Sequence, residues 1–576
     1  MRELLKYLKK YRIECVIAPL FKALEAGFEL LVPLVIAYII DKGIPARDQS
    51  LIIRSGSLLL LLALVGFASS LIAQYFAAKA AVGFATDVRH DLFSKLLHFS
   101  FSKIDEVGTS TMITRLTGDV TSMQAGVNMV LRLFLRSPYI VIGATIMAFL
   151  IDKRSAMLFV ILIFFLFLIV AFLVGSNIAL LEKAQEKLDH VTTVIRENLL
   201  GARVIRAFCR QDDQIRSFAE QNGELFAAQK KAGVRSSLLN PVTYVIINLF
   251  IVLLIRTGAI QVGNGEITAG SVIALYNYMS QILIELIKFA NLLITVNKAL
   301  ASGKRVSALL FAQTEETGAQ NAMSAVATDE IITLEHVSLS YHKNADEALT
   351  DIHFGLRKGE TLGIIGGTGA GKTSLANLIA AFYPATKGQV LINGRNVDDY
   401  AKEELTSMIG FVMQKAVLFQ GTIAENLKWG NEAATDEELM KAAEISCLEE
   451  VIAEHGGLTG EVLQNGKNFS GGQKQRMGIA RALVKKPEIL ILDDSASALD
   501  YATDRKIRTN LTQLSYHPTI IIISQRTVSI QNCDHILVLE DGEMAGYGSH
   551  EELLRNCSVY AEIYRSQGME KEGGVA

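Results

Sequence analysis

Apolar residues crowd the first half of the chain into six runs, near 13–40, 56–80, 137–151, 155–176, 241–262 and 271–296. Each approaches the length of about 20 residues that an α-helix needs to cross a bilayer. Only Asp152-Lys153-Arg154 separates the two middle runs, which predicts a tight helical hairpin, and the loop near 41–54 is also short. The stretches 81–136 and 177–240 are long, polar and rich in helix formers. Basic residues favour them, among them Arg89, Arg115, Arg136, Arg203, Arg206 and Arg235. The positive-inside bias then places these stretches and both termini in the cytoplasm. Each is expected to form two helices of about 30 residues, reaching about 45 Å.

The start of the chain, 1–12, is basic and amphipathic and lacks the apolar core and cleavage site of a removable signal. It predicts an elbow helix lying on the membrane surface. The stretch 312–328 is polar, small and without period, a linker pattern. Beyond it, short β-rich runs alternate with helical stretches: Ile331–Leu334, Thr361–Ile365, Ile409–Val412, Ile489–Leu492 and Thr519–Ser524. Such alternation implies a largely parallel sheet with ligands at the strand ends. The expected architecture is an all-α, six-helix transmembrane domain (13–311) with long cytoplasmic helical extensions at about 81–136 and 177–240, then an α/β domain (329–576).

Composition sharpens this outline. Half of the 576 residues are hydrophobic, as a membrane protein requires, and the formal net charge of −3 gives no sign of a nucleic-acid surface. Five cysteines (Cys15, Cys209, Cys447, Cys533, Cys557) show neither metal-ligand spacing nor an even disulfide framework, which predicts reduced thiols.

The candidate chemistry lies in the second half. The strand Thr361–Ile365 runs into Gly366-Gly367-Thr368-Gly369-Ala370-Gly371-Lys372-Thr373 and then a helical stretch that begins with Ser374. In such a loop the glycines let backbone N–H groups wrap phosphates, the lysine reaches the β/γ oxygens, and the hydroxyl of Thr373 can ligate Mg²⁺. Asp493 ends the apolar strand Ile489–Leu492, where a carboxylate can hold Mg²⁺ through water. Asn468-Phe469-Ser470-Gly471-Gly472-Gln473 is a second glycine-containing turn before a helix with Lys474, Arg476 and Arg481.

Taken in order, the phosphate cradle, Gln414, Ser470-Gly471-Gly472-Gln473, Leu492-Asp493-Asp494 and Ser497-Ala498-Leu499-Asp500 resemble the ATP-binding cassette (ABC) transporter family. The resemblance covers essentially the whole chain. The six-span layout is similar to exporter-type half-transporters, and Thr117-Gly118-Asp119-Val120 and Gly201–Phe208 resemble their cytoplasmic loops. It implies ATP and Mg²⁺ as cofactors, with Tyr341 on adenine, Lys372 and Thr373 on phosphate and metal, and Gln414 sensing γ-phosphate and metal. Gly366, Gly367, Thr368, Gly369, Ala370, Gly371 and Ser374 complete the cradle. The resemblance also implies that Ser470, Gly471, Gly472 and Gln473 close over the ATP of a partner subunit. Asp500 would lie at the dimer seam, and coupling turns near 106–117 and 209–217 would pass motion to the spans.

Two positions depart from the family pattern. Asp494 stands where the resemblance implies a glutamate base, and Gln525 where it implies a histidine. Removing one methylene retracts a carboxylate by more than about an ångström. A misplaced general base costs about 10²–10⁴ in rate. Glutamine can donate a hydrogen bond but cannot carry the charge of an imidazole. An intact cradle with impaired chemistry, beside an intact signature, resembles the degenerate-site subunit of heterodimeric bacterial multidrug exporters. The partner half-transporter would supply the glutamate and the histidine. A homodimeric exporter or lipid flippase, an exporter-fold importer, and an ATP-gated channel or regulatory subunit remain as alternatives.

In the first apolar run, Lys22, Glu25 and Glu29 share one helical stripe. Charges inside a span are costly and face water or a partner. Either Glu25 and Glu29 are expected to attract small cationic amphiphiles in a central cavity, or Lys22 and Glu25 to form a local ion pair on a water-lined wall. Pro19 and Pro33 are expected to kink this helix, and Asp41 marks its outer end or an outer gate. The expected location is a bacterial plasma membrane, multi-pass and in contact with lipid.

Overall fold

The computed structural model describes residues 3–312, 329–341 and 346–567. The expected linker, 312–328, falls outside the described residues apart from its first position. Two compact units result, one of residues 1–98 and 109–313, the other of residues 99–108 and 314–576.

In the first unit the six apolar runs fall in the helices Arg12–Tyr38, Gln49–Leu97, Arg136–Ile151, Lys153–Leu200, Leu239–Gly263 and Ala269–Leu310. Five helical segments of the described residues are long and apolar enough to cross a membrane. Phe159, Leu162, Leu254, Tyr278 and Ile282 are fully buried where these helices pack. The polar stretches begin as continuations of the preceding spans. Nothing in the sequence breaks the helix where apolar gives way to polar, so Gln49–Leu97 and Lys153–Leu200 run on as single helices of 49 and 48 residues. Each is therefore about 70 Å long. The break comes later: Ser100 caps the short helix Phe101–Val107 by accepting from Lys103 N–H, and Gly201 ends the second long helix.

The amphipathic start forms a 3₁₀ helix, Leu4–Tyr11, rather than an α-helix. Leu4 is buried, while the Tyr7 hydroxyl donates to Asp91 (2.7 Å) and Lys10 to Asp87 (3.0 Å), pinning it to Gln49–Leu97. Pro19 and Pro33 both lie inside Arg12–Tyr38. Asp41 accepts from Gly270 N–H (2.7 Å) and the Thr268 hydroxyl (2.6 Å), so it caps the start of the last long helix. Asp119, in the Thr-Gly-Asp motif, is buried and binds Arg115 (2.7 Å), Ser302 (2.9 Å) and Arg305 (3.0 Å).

Arg136, grouped by its sequence with the cytoplasmic basic residues, is instead 6 % exposed at the start of Arg136–Ile151. Its guanidinium donates to Glu285 (2.5 Å) and Glu29 (2.7 Å), while Ser137 and Lys288 complete the Glu285 carboxylate at 2.9 Å each. Lys22 pairs with Glu25 (2.5 Å) and donates to Ser70 (3.0 Å). Three acids and three bases from three helices thus neutralise one another.

In the second unit, six strands lie in the order Glu543–Gly548, His535–Glu540, Thr361–Gly366, Thr519–Ile523, Ile489–Asp493, Ile409–Val412. All pair in parallel except the edge strand Glu543–Gly548. The run Ile331–Leu334 does not join this sheet. It belongs to Glu330–Leu339, which pairs antiparallel with Leu349–Arg357 and Lys387–Ile392 in a four-stranded sheet. Ile332, Leu334 and Val390 of that sheet and Ile364, Ile491 and Ile521 of the other share one core.

Breaking a buried ion network by removing one partner costs about 3–5 kcal/mol. Arg136→Ala should therefore lower the thermal midpoint of the detergent-solubilised protein strongly, whereas Lys10→Ala at an exposed pair should barely move it. Equal small shifts for both would show that the Arg136 network carries no stability.

Candidate functional site

The parallel sheet presents its strand ends to one site. Thr361–Gly366 delivers the chain into the cradle, and the helix Lys372–Ile379 leaves it. Gly369 and Gly371 adopt left-handed φ of +89° and +91°. A side chain at Gly371 would also collide with Leu349 at 2.7 Å and the Ala348 carbonyl at 2.8 Å, so glycine is required there twice over. Lys372 is buried and donates to the carbonyls of Gly366 (2.9 Å) and Gly367 (2.5 Å), which lie in the loop it would share with phosphate. Burial holds its ammonium below the ordinary lysine range, and the Asp494 and Asp493 carboxylates partly offset that.

Asp493, 3 % exposed at the end of Ile489–Asp493, accepts from the Thr373 hydroxyl at 3.1 Å. Burial raises its carboxyl above the usual range, against the lowering effect of Thr373. A hydroxyl and a buried carboxylate side by side form a hard, all-oxygen donor pair that suits Mg²⁺. The residues fit that ion, with Thr373 and Asp493 as its holders, and the ion when bound would supply positive charge against the phosphates. Asp494 follows with φ +44°, its N–H bonded to the Ile523 carbonyl (3.1 Å) and its own carbonyl accepting from Ser497. The Asp494 carboxylate accepts from the Gln414 amide at 3.3 Å. Gln414 therefore meets Asp494 rather than the Thr373–Asp493 pair. Gln525 is exposed just past Thr519–Ile523, and its carbonyl accepts from Gln567 at 2.8 Å.

Tyr341 donates to the Ser374 hydroxyl (2.9 Å), which places its ring beside the cradle. Tyr383, which gave no signal in the sequence, lies just past the helix Lys372–Ile379 and meets Tyr341 edge to face at 4.9 Å. Tyr383 also donates to Asp105, and Phe382 stacks on Phe101 at 4.5 Å. The short helix Phe101–Val107, from the polar stretch after the second apolar run, thus packs against Phe382 and Tyr383, next to Tyr341. It precedes most of the expected coupling turn at 106–117.

The Ser470–Gln473 signature opens the helix Gly471–Val484. Ser470 and Gln473 cap the helix Gly471–Val484 reciprocally (2.8 and 3.3 Å), leaving Ser470 and Gly471 exposed. Asp500 caps Tyr501–Thr512 through Thr503, whose N–H holds its carboxyl below the usual range. Lys22, Glu25 and Glu29 lie in the other unit, in the ion network described above; Arg136 and Glu285, which complete it, were missed. A lone carboxylate in the run 271–296 was the available signal for Glu285.

The chain is similar to known proteins along nearly its whole length. Residues 15–286 match the ABC transporter transmembrane region and 349–497 match the ABC transporter family. Over 571 residues the chain is 35 % identical to the uncharacterized ABC transporter ATP-binding protein YfiB of Bacillus subtilis, covering 98 % of each. It is 32 % identical over 577 residues to Rv1273c of Mycobacterium tuberculosis, an uncharacterized ABC transporter ATP-binding protein, covering 99 % of each. The solved structure of a bacterial Atm1-family ABC exporter with ATP bound shares the fold, with TM-score 0.83 at 23 % identity over 98 % of this chain and 99 % of that one. The chain belongs to the ABC transporter family. It is a multi-pass membrane protein with the fold of that exporter.

Because its folded carboxyl is raised, Asp493 weakens the empty cassette as pH climbs through the carboxylate range. Asp493→Asn should raise the thermal midpoint of the nucleotide-free protein at neutral pH and flatten that dependence. It should also abolish the additional stabilisation given by Mg²⁺-ATP over ATP alone. A variant that retains the Mg²⁺-dependent shift would remove Asp493 from the metal site.

Proposed function

We propose that this chain is one half of a heterodimeric exporter of small amphiphilic compounds, holding ATP at a site that hydrolyses it poorly. The cradle from Gly366 to Ser374, Tyr341 and the Thr373–Asp493 pair provide for nucleotide and Mg²⁺ binding. The observation that carries the impaired chemistry is Asp494: a short carboxylate on a turn fixed at both backbone atoms and engaged by Gln414. Such a turn gives it little freedom to reach further. A general base must lie within hydrogen-bond reach of its proton, about 2.6–3.2 Å or one water away. Gln525 supplies no imidazole to compensate. The exposed Ser470–Gly471 turn, at a helix N-terminus whose free N–H groups favour anions, is suited to the nucleotide of a partner. The partner would carry the glutamate and histidine at the matching positions, and its site would reset the pair.

In the membrane unit, Glu25 is matched by Lys22, but Glu29 is 45 % exposed while paired with Arg136. Glu29 is therefore the carboxylate through which a cationic amphiphile would be attracted. Glu29→Gln should weaken export of cationic compounds and leave neutral ones unchanged. Equal loss of both classes would assign Glu29 to helix packing.

The central test is ATP turnover by the purified chain, alone and with a candidate partner half-transporter. Alone, it should turn over slowly, and Asp494→Glu should raise the rate by about 10²-fold, the lower end of what a positioned base contributes. In the pair, the glutamate-to-glutamine change of the partner should abolish activity. Vigorous hydrolysis by the unmodified chain alone would favour a homodimer with Asp494 as a competent base.

A further inference from the structure

The first two strands of the cassette carry a cluster that the nucleotide site does not use. Glu330–Leu339 and Leu349–Arg357 pair with Leu334 opposite Phe354 and Val337 opposite Ile352. Glu335 and His336 therefore both stand against His353, a β-bulge that re-aims the side chains around it. His336 takes φ +50° and Asp351, across the ladder, φ +54°. The third strand is shaped to the same bulge. Gly388 has φ +73°, and a Cβ there would lie 2.3 Å from the carbonyls of both Glu335 and His336.

This backbone brings three donor side chains together. His336 Nδ1 lies 2.6 Å from Asp351 Oδ1, and the rings of His336 and His353 are 5.2 Å apart. One donor atom from each of His336, Asp351 and His353 lies within 4.8 Å of the others, and all three residues are exposed. His353 Nδ1 is 3.2 Å from the Asp351 carbonyl oxygen. A carbonyl can only accept, so this contact places the proton on Nδ1 and leaves the Nε2 lone pair for a ligand, the usual support of a metal-binding imidazole.

We propose that His336, Asp351 and His353 form a binding site for a divalent transition-metal ion of the zinc class. Two imidazoles and one carboxylate are borderline donors that suit Zn²⁺, Co²⁺ or Ni²⁺, whereas Mg²⁺ and Ca²⁺ take oxygen shells. Bonds of about 2.0–2.2 Å in tetrahedral geometry put donors about 3.4 Å apart. Exposed side chains reach that spacing from the observed cluster by moving about an ångström. Solvent would fill the fourth position. The ion would cross-link the two strands, the first of which leads to Tyr341.

The test uses the full-length, detergent-solubilised protein with its affinity tag removed, stripped of metal, on a Cys209→Ser background that removes the exposed thiol. Zn²⁺ binding is read by competition with a chromophoric chelator, and Co²⁺ by its ligand-field absorption. One Zn²⁺ per chain is expected, together with a tetrahedral Co²⁺ spectrum. The double variant His336→Ala/His353→Ala should bind at least about 10-fold more weakly, the scale of loss for a disturbed ligand shell. Asp351→Asn should weaken binding in the same direction. The ATP-induced thermal shift, retained in each variant, reports an intact fold. Equal Zn²⁺ affinity in the parent and the double variant, or no binding by the parent, would overturn the site.

Discussion

A buried carboxylate at the end of the strand Ile489–Asp493 governs the cassette. Asp493 is taken out of water by the parallel sheet, and Thr373 satisfies only part of it. A carboxylate so placed is unfavourable until a cation meets it. Lys372 is in the complementary position, a desolvated ammonium whose partners are the carbonyls of its own loop. Both groups would suit a bound anion–metal pair, and the strand order places them at the ends of two strands that flank Thr519–Ile523. The turn that follows inherits its geometry from the same strand. Asp494 takes a left-handed φ and bonds to Ile523 on the neighbouring strand, so its position is not free to adapt to a shorter side chain.

The membrane unit handles buried charge differently. Arg136 joins carboxylates from the first and last long helices, and the charges of the cluster cancel. An isolated charge in hydrocarbon is expensive, whereas a closed network keeps the cost small while fixing how the helices meet. Asp119 with Arg115 and Arg305 repeats the device, and Asp41 caps the last long helix. Polar contacts at several levels therefore set helix positions that apolar surfaces alone, alike on every face, would leave loose.

Local chemistry explains which features were legible in the sequence. The six apolar runs marked the long helices because bilayer-length apolarity is a property of contiguous residues. The cradle was legible for the same reason, since strand, glycines and lysine are adjacent. Asp494 and Gln525 were identified by position within that frame. Long-range pairings were not legible. Arg136 was grouped with cytoplasmic bases because nothing nearby announces Glu29 or Glu285. Ile331–Leu334 was placed in the parallel sheet because alternation does not reveal which partners a strand will find. Tyr383 and the Phe101–Val107 helix meet across a sequence separation of 278 residues, which no local pattern encodes. The length of Gln49–Leu97 was missed because polarity changes along it while helix propensity does not.

The most direct test of the account is the identity of the nucleotide that stays bound. The chain, incubated with Mg²⁺-ATP and then freed of unbound nucleotide, would be denatured and its contents separated by chromatography. The account predicts intact ATP, with ADP recovered instead from the Asp494→Glu variant. Recovery of ADP alone from the unmodified chain would contradict it, because Asp494 would then be supporting hydrolysis.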